Sequence, residues 1–137
     1  MYLNSNSSMR RTLLFSLLAL FSFVAFAQGD AQAASAIGFD KREYNFGDVK
    51  REKRDYSCTF TLENRGTKPL VLLSVNTSCS CLKAHYVRRP LKPGQSSTIM
   101  MTLEAAKMDL GLFHRVVEVQ TNQGVAYITV RGNSVVK

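Results

Sequence analysis

Thr77-Ser78-Cys79-Ser80-Cys81-Leu82 is the stretch best equipped for chemistry. Two thiols stand two residues apart, at the end of an apolar, strand-like run from Leu70 to Val75. The third cysteine is Cys58. Thiolates are nucleophiles, redox partners and soft-metal ligands, so three uses stay open. The first is structural, as a bridge or as buried side chains. A Cys79–Cys81 bridge needs a bent chain, because residues i and i+2 of an extended strand lie about 6.6 Å apart at Cα and disulfides cluster nearer about 5.5–6 Å. Folding the chain about Arg65–Pro69 sets residue 58 level with residue 76, so a bridge from Cys58 to Cys79 or Cys81 is geometrically reasonable too. The second use is thiol–disulfide exchange. The third is Cu(I) held by Cys79 and Cys81 with Cys58, His85 or a methionine. Closed tetrahedral zinc needs four ligands, and no fourth stands out. The structural use is favoured, and with it no metal and no cofactor.

Other reactive residue types form no set. His114 has the parity opposite to Val117 and Val119, so it is expected to face outward. Met100, Met101 and Met108 make no spaced cluster, and Met101 reads as core. No Ser/His/Asp set sits at a nucleophile motif, no phosphate loop is present and no paired carboxylates stand out. A Cys81–His85 dyad would need a deeper pocket than a small sandwich offers. The expectation is a protein that is not an enzyme.

The elements that hold these residues begin after an N-terminal targeting pattern. Met9-Arg10-Arg11 is positive, Thr12 to Phe26 is almost wholly apolar, and Ala25-Phe26-Ala27 is a small-x-small cleavage signal. That order is a secretory signal peptide over 1–27, with Ala33 and Ala34 as alternative cleavage positions. The run is shorter than the roughly 20 apolar residues that cross a bilayer, so no transmembrane segment is expected in the mature chain. No cysteine follows it to accept a lipid. Cleavage removes Arg10 and Arg11, which leaves 16 basic against ten acidic residues and lowers the net charge from +8 to +6. Export makes nucleic acid an unsuitable partner, and a modest positive charge aids solubility. The expected location is the periplasm or the exterior.

Residues 28–36 are Ala, Gln, Gly, Asp and Ser, a flexible leader. From Ile37 on, short alternating runs broken by turn signals replace any helical period. Ile37 to Asp40 and Tyr44 to Phe46 read as one broken strand, turned by Gly47-Asp48. Lys50 to Asp55 reads as a solvated charged loop. Tyr56 to Asn64 alternates cleanly, with Tyr56, Cys58, Phe60 and Leu62 on one face. Asn64 to Pro69 is turn chemistry, and Leu70 to Asn76 follows with Val71, Leu73 and Val75 inward. Leu82–Val87, Ser97–Glu104, Leu112–Thr121 and Val125–Arg131 complete the set, with turns at Pro93-Gly94 and Asn122-Gln123-Gly124. About seven strands at intervals of roughly 8–12 residues are the pattern of an all-β, immunoglobulin-like antiparallel sandwich. Its domain spans 37–133, followed by a tail over 134–137. The expected core is Phe60, Leu62, Val71, Leu73, Val75, Ile99, Leu103, Val117, Val119, Ile128 and Val130. On that reading Leu73→Ala costs about 2–5 kcal/mol.

In order, Phe46-Gly47-Asp48-Val49, Phe60-x-Leu62-x-Asn64-x-Gly66-x-x-Pro69-Leu70, Ser78-Cys79-x-Cys81, Pro93-Gly94 and Arg131-Gly132-Asn133 resemble the bacterial exported family called domain of unknown function 1573. That family is related to the immunoglobulin-like domains of the abnormal-spindle, hydin and major sperm protein group. It usually has Gly between the two cysteines, where this chain has Ser80. The resemblance implies the fold and export, and no established activity. Sandwiches leave edge strands with unpaired backbone groups that accept partners. The functional expectation is therefore an exported, non-catalytic binding or scaffold domain whose partner is another envelope protein. The alternative is a thiol protein that binds Cu(I) or exchanges disulfides through Cys79 and Cys81.

Overall fold

The computed structural model describes residues 36–52 and 55–136; the expected signal peptide, the leader except Ala36, and part of the charged loop lie outside these. Eight strands follow in order: β1 (Ile37–Phe39), β2 (Glu43–Lys50), β3 (Tyr56–Asn64), β4 (Leu72–Thr77), β5 (Leu82–His85), β6 (Ser96–Leu103), β7 (Gly111–Thr121) and β8 (Gly124–Val135). They form two four-stranded sheets, β1-β3-β6-β5 and β2-β8-β7-β4, packed as the expected sandwich.

The strands whose alternation is cleanest fall as read. Cys58, Phe60 and Leu62 of β3, Ile99, Met101 and Leu103 of β6, Val117 and Val119 of β7, and Ile128 and Val130 of β8 are all buried. β7 and β8 are a hairpin closed at Asn122-Gln123, with Thr121 opposite Gly124. β8 runs on to Val135 and buries Ser134, so the sandwich extends past residue 133 into the expected tail.

Residues 37–50 are two strands in two different sheets. Asp40 still pairs with Thr61 of β3, while the Arg42 carbonyl already accepts from Thr129 of β8 at 2.8 Å. β2 lies parallel to β8, so the sandwich is not purely antiparallel. Gly47 does not turn the chain either. It sits at φ 66°, with its N–H on the Asn45 side chain at 2.9 Å, at a shift in the β2–β8 register. That is a bulge built on the left-handed conformation glycine permits. Opposite, Gly132 has no room for a side chain: a Cβ there would lie 2.7 Å from the Phe113 ring and 2.9 Å from the Gly47 carbonyl.

β4 corrects the predicted core. Leu72 pairs with Thr121 and Val75 with Val119, but Ser74 pairs with Gln120, so one residue of β4 is extra. A bulge of this kind reverses side-chain parity along the strand. Leu72 is buried, Val71 and Val75 are only partly so, and Leu73 is 48% exposed. Leu73→Ala is accordingly expected to change stability by less than about 0.5 kcal/mol, against the 2–5 kcal/mol of the simple alternation. Leu72→Ala should carry the larger cost, about 2–5 kcal/mol; urea unfolding of both variants checks the order.

Asn64 joins the segments between strands. It is fully buried. Its Nδ2 donates to the Lys68 and Leu91 carbonyls, both at 2.8 Å, and its Oδ1 accepts from Gly66 N–H at 2.9 Å. Leu70 and Leu91 exchange backbone hydrogen bonds beside it. The Arg65–Pro69 segment is thus a crossing from one sheet to the other, not the turn of a β3–β4 hairpin: β3 pairs with β1 and β6, and β4 with β7.

Candidate functional site

The thiol stretch is the second crossing. Thr77 ends β4 at the edge of one sheet, and Leu82 begins β5 at the edge of the other. Ser78 to Cys81 is the corner between them. Leu82 N–H donates to the Cys79 carbonyl at 3.2 Å. The Thr77 hydroxyl sits 3.1 Å from the Cys79 carbonyl and 3.0 Å from that of Leu82, donating between them. Glu104 N–H donates to the Cys81 carbonyl at 2.8 Å. This bend brings the Cα atoms of Cys79 and Cys81 to 5.2 Å, and their sulfurs are bonded. Cys81 is buried and Cys79 partly exposed. Cys81 N–H donates to Cys79 Sγ at 3.1 Å. A bridge closing so short a loop removes about 1.6 kcal/mol of unfolded-chain entropy, against about 3 for a 15-residue loop.

Cys58 takes no part in the bridge. It lies level with Met101 of β6 and, beyond that, Ala84 of β5, two strand spacings of about 4.8 Å from the strand that follows the corner. The level-with-76 placement fails because β3 and β4 are in different sheets. Burial pushes the Cys58 thiol up to about 11, with Lys41 pulling weakly the other way, so it is a poor nucleophile at neutral pH. His85 is exposed and pairs with Met100, also exposed, on the outer side of β5 and β6. The proposed Cu(I) set of Cys79, Cys81, Cys58 and His85 is not assembled: two thiols are bonded to each other, one faces the core and the imidazole faces out. Among the described residues no group of three His, Cys, Asp or Glu side chains converges. His114 is exposed, as its parity required. Near the corner, Lys107 and Lys83 pair with the Glu104 carboxylate and hold it below its usual range.

The two outer faces of the sandwich differ in kind. On β3 and β6 the outward residues are Ser57, Thr59, Thr61 and Glu63 against Thr102, Met100, Thr98 and Ser96. On β7 and β8 they include Leu112, Val116, Val125 and Tyr127, which are 90, 44, 44 and 54% exposed. Leu73, pushed out by the β4 bulge, adds to this side. A shallow depression of ≈ 400 Å³ continues the face at the Gly47 bulge, lined by Asn45, Asp48, Leu112, His114, Arg131 and Asn133 among others. Asn133 donates to Asp48 at 3.1 Å and Arg131 pairs with Glu43 at 2.8 Å, so the charged groups nearest the depression are already satisfied. Sequence reasoning passed over this face. Its signal is that Val116-Val117 and Val125 to Ile128 are apolar at both parities, more than one buried face requires.

The family model described as "Protein of unknown function (DUF1573)" matches residues 37–135. The chain belongs to the DUF1573 family. The match ends with β8, at Val135, and takes in every strand of the sandwich. No curated protein matches the sequence. Among solved structures, this DUF1573 chain is similar to a protein of unknown function from Porphyromonas gingivalis W83, at 19% identity and TM-score 0.65, over 82% of this chain and 51% of that one. The chain therefore spans about half the length of that relative. It is also similar to the ASH / PapD-like domain 7 of human CEP192, at 9% identity and TM-score 0.63, over 83% of this chain and 96% of that one. The secreted serine protease VesC from Vibrio cholerae is similar at 12% identity and TM-score 0.54, over 73% of this chain but 23% of the protease. At these identities the likeness is one of fold, and function rests on sites. No helix among the described residues is long and apolar enough to cross a membrane.

Proposed function

We propose that this DUF1573 chain is an exported, non-catalytic binding domain that presents the outer face of its β2-β8-β7-β4 sheet to another envelope protein. The observation that carries the reading is the asymmetry of the two outer faces. One is mostly Ser and Thr, with Met100 and Glu63 among them; the other exposes Leu112, Val116, Val125 and Tyr127, each opposite a polar residue of the neighbouring strand. Both are outward faces of the same sandwich, so strand propensity alone gives no reason for the difference. An aromatic and aliphatic patch with polar neighbours is what a protein interface selects. Export is supported by the basic, apolar and Ala-x-Ala order at the N-terminus. Cys58, the thiol outside the bridge, offers no nucleophile, since it is buried and its ionisation is suppressed.

A photo-crosslinking residue placed at Tyr127 and expressed in the envelope of the cell should give a discrete adduct, and the adduct should fall when Val116→Asp is added. The same residue at Thr59, on the opposite face, should give none. Adducts of equal yield from both positions, or from Thr59 alone, would remove the basis of the reading.

A further inference from the structure

The corner at Ser78–Cys81 is shaped for more than a staple. The bridge closes too short a loop to constrain the unfolded chain much. The bend has supports besides the bridge: Leu82 N–H donates to the Cys79 carbonyl, and the Thr77 hydroxyl lies between two carbonyls. The sulfurs would thus remain adjacent after reduction. They are also unlike: Cys79 is partly exposed, and Cys81 is buried. Cys81 N–H is already directed at Cys79 Sγ, at 3.1 Å, where it would stabilise a thiolate.

We propose that, beside the binding role of the outer face, Cys79–Cys81 is a stoichiometric thiol–disulfide exchange site for a protein dithiol, with Cys79 the exchanging sulfur and Cys81 the resolving one. In the forward direction a thiolate of the partner attacks Cys79 Sγ. The S–S bond breaks, and Cys81 Sγ leaves with the electron pair and takes a proton. The second thiolate of the partner then attacks its own sulfur in the mixed disulfide. Cys79 is released as a thiolate facing the Cys81 amide and is protonated from solvent. The partner dithiol becomes a disulfide, and this protein's disulfide becomes a dithiol, by two electrons and two protons. The reverse sequence reoxidises it.

The test uses the mature protein in reduced and oxidised glutathione mixtures, with acid quench, alkylation and intact mass. Cys79 and Cys81 should interconvert between dithiol and disulfide at millimolar glutathione with the melting transition still present, while Cys58 stays unmodified and reports an intact fold. Cys81→Ser should trap glutathione on Cys79. Cys79→Ser should leave Cys81 unmodified in the native protein. A bridge that is reduced only when Cys58 also becomes reactive would overturn the proposal, as would equal capture of Cys79 and Cys81.

Discussion

Asn64→Ala is expected to destabilise the domain by about 3 kcal/mol, read as a lower urea midpoint at unchanged slope. Three side-chain hydrogen bonds vanish together, each contributing about 0.5–1.5 kcal/mol net. The two carbonyls are not orphaned, because Lys68 also receives Gln123 Nε2 and Leu91 also receives Leu70 N–H. Gly66 N–H loses the side-chain acceptor that Asn64 Oδ1 supplied. Asn64→Asp should be worse at neutral pH. A carboxylate would have no protons to give those two carbonyls, and burial would raise its pKa in the folded state. The folded protein would then bind the proton more tightly than the unfolded one, so the variant should regain stability as pH falls through that raised pKa. A variant whose deficit is flat or grows on acidification would show that the Asn64 amide is not the donor at this crossing.

Phe60→Ala should cost about 3–5 kcal/mol, in line with other buried aromatic truncations. Phe60 is fully buried on β3 opposite Ile99, which is also fully buried. Lys41 Nζ lies 5.9 Å from the ring centroid, so truncation also loses a cation–π contact. Phe60→Leu, which keeps most of the volume, should cost less than half as much. Equal losses for the two variants would place Phe60 at a site that collapses freely rather than in a packed centre.

The sequence was readable where one periodicity ruled a whole strand. β3 is delimited at Tyr56 and Asn64 as its alternation required, and the inward sets of β6, β7 and β8 follow from parity alone. It was unreadable where a single extra residue changed the count. The β4 bulge places Leu73 outside and Leu72 inside, and nothing in Leu70 to Val75 marks which residue is surplus. Gly47 carried a true signal, a left-handed conformation, that fits a bulge as well as a turn. The parallel pairing of β2 with β8 joins residues more than 80 positions apart and leaves no local trace. The same holds for the candidate site. The Cys79–Cys81 spacing drew attention to the corner, but which sulfur is exposed depends on the crossing between sheets. The apolar outer face was hidden because one buried face already accounts for most of the alternation in β7 and β8.

The surface claim is tested most directly by two paired double variants scored for fold and for complex formation. Val116→Asp with Tyr127→Ser alters only exposed side chains, so the melting temperature should move by no more than about 2–4 °C. The yield of adduct from a photo-crosslinker at Leu112 should nevertheless fall at least about tenfold, as loss of an aromatic anchor implies. Thr59→Asp with Thr98→Asp, on the opposite face, should leave that yield unchanged. If both pairs retain the adduct, or both lose it while remaining folded, the β2-β8-β7-β4 face is not the binding surface.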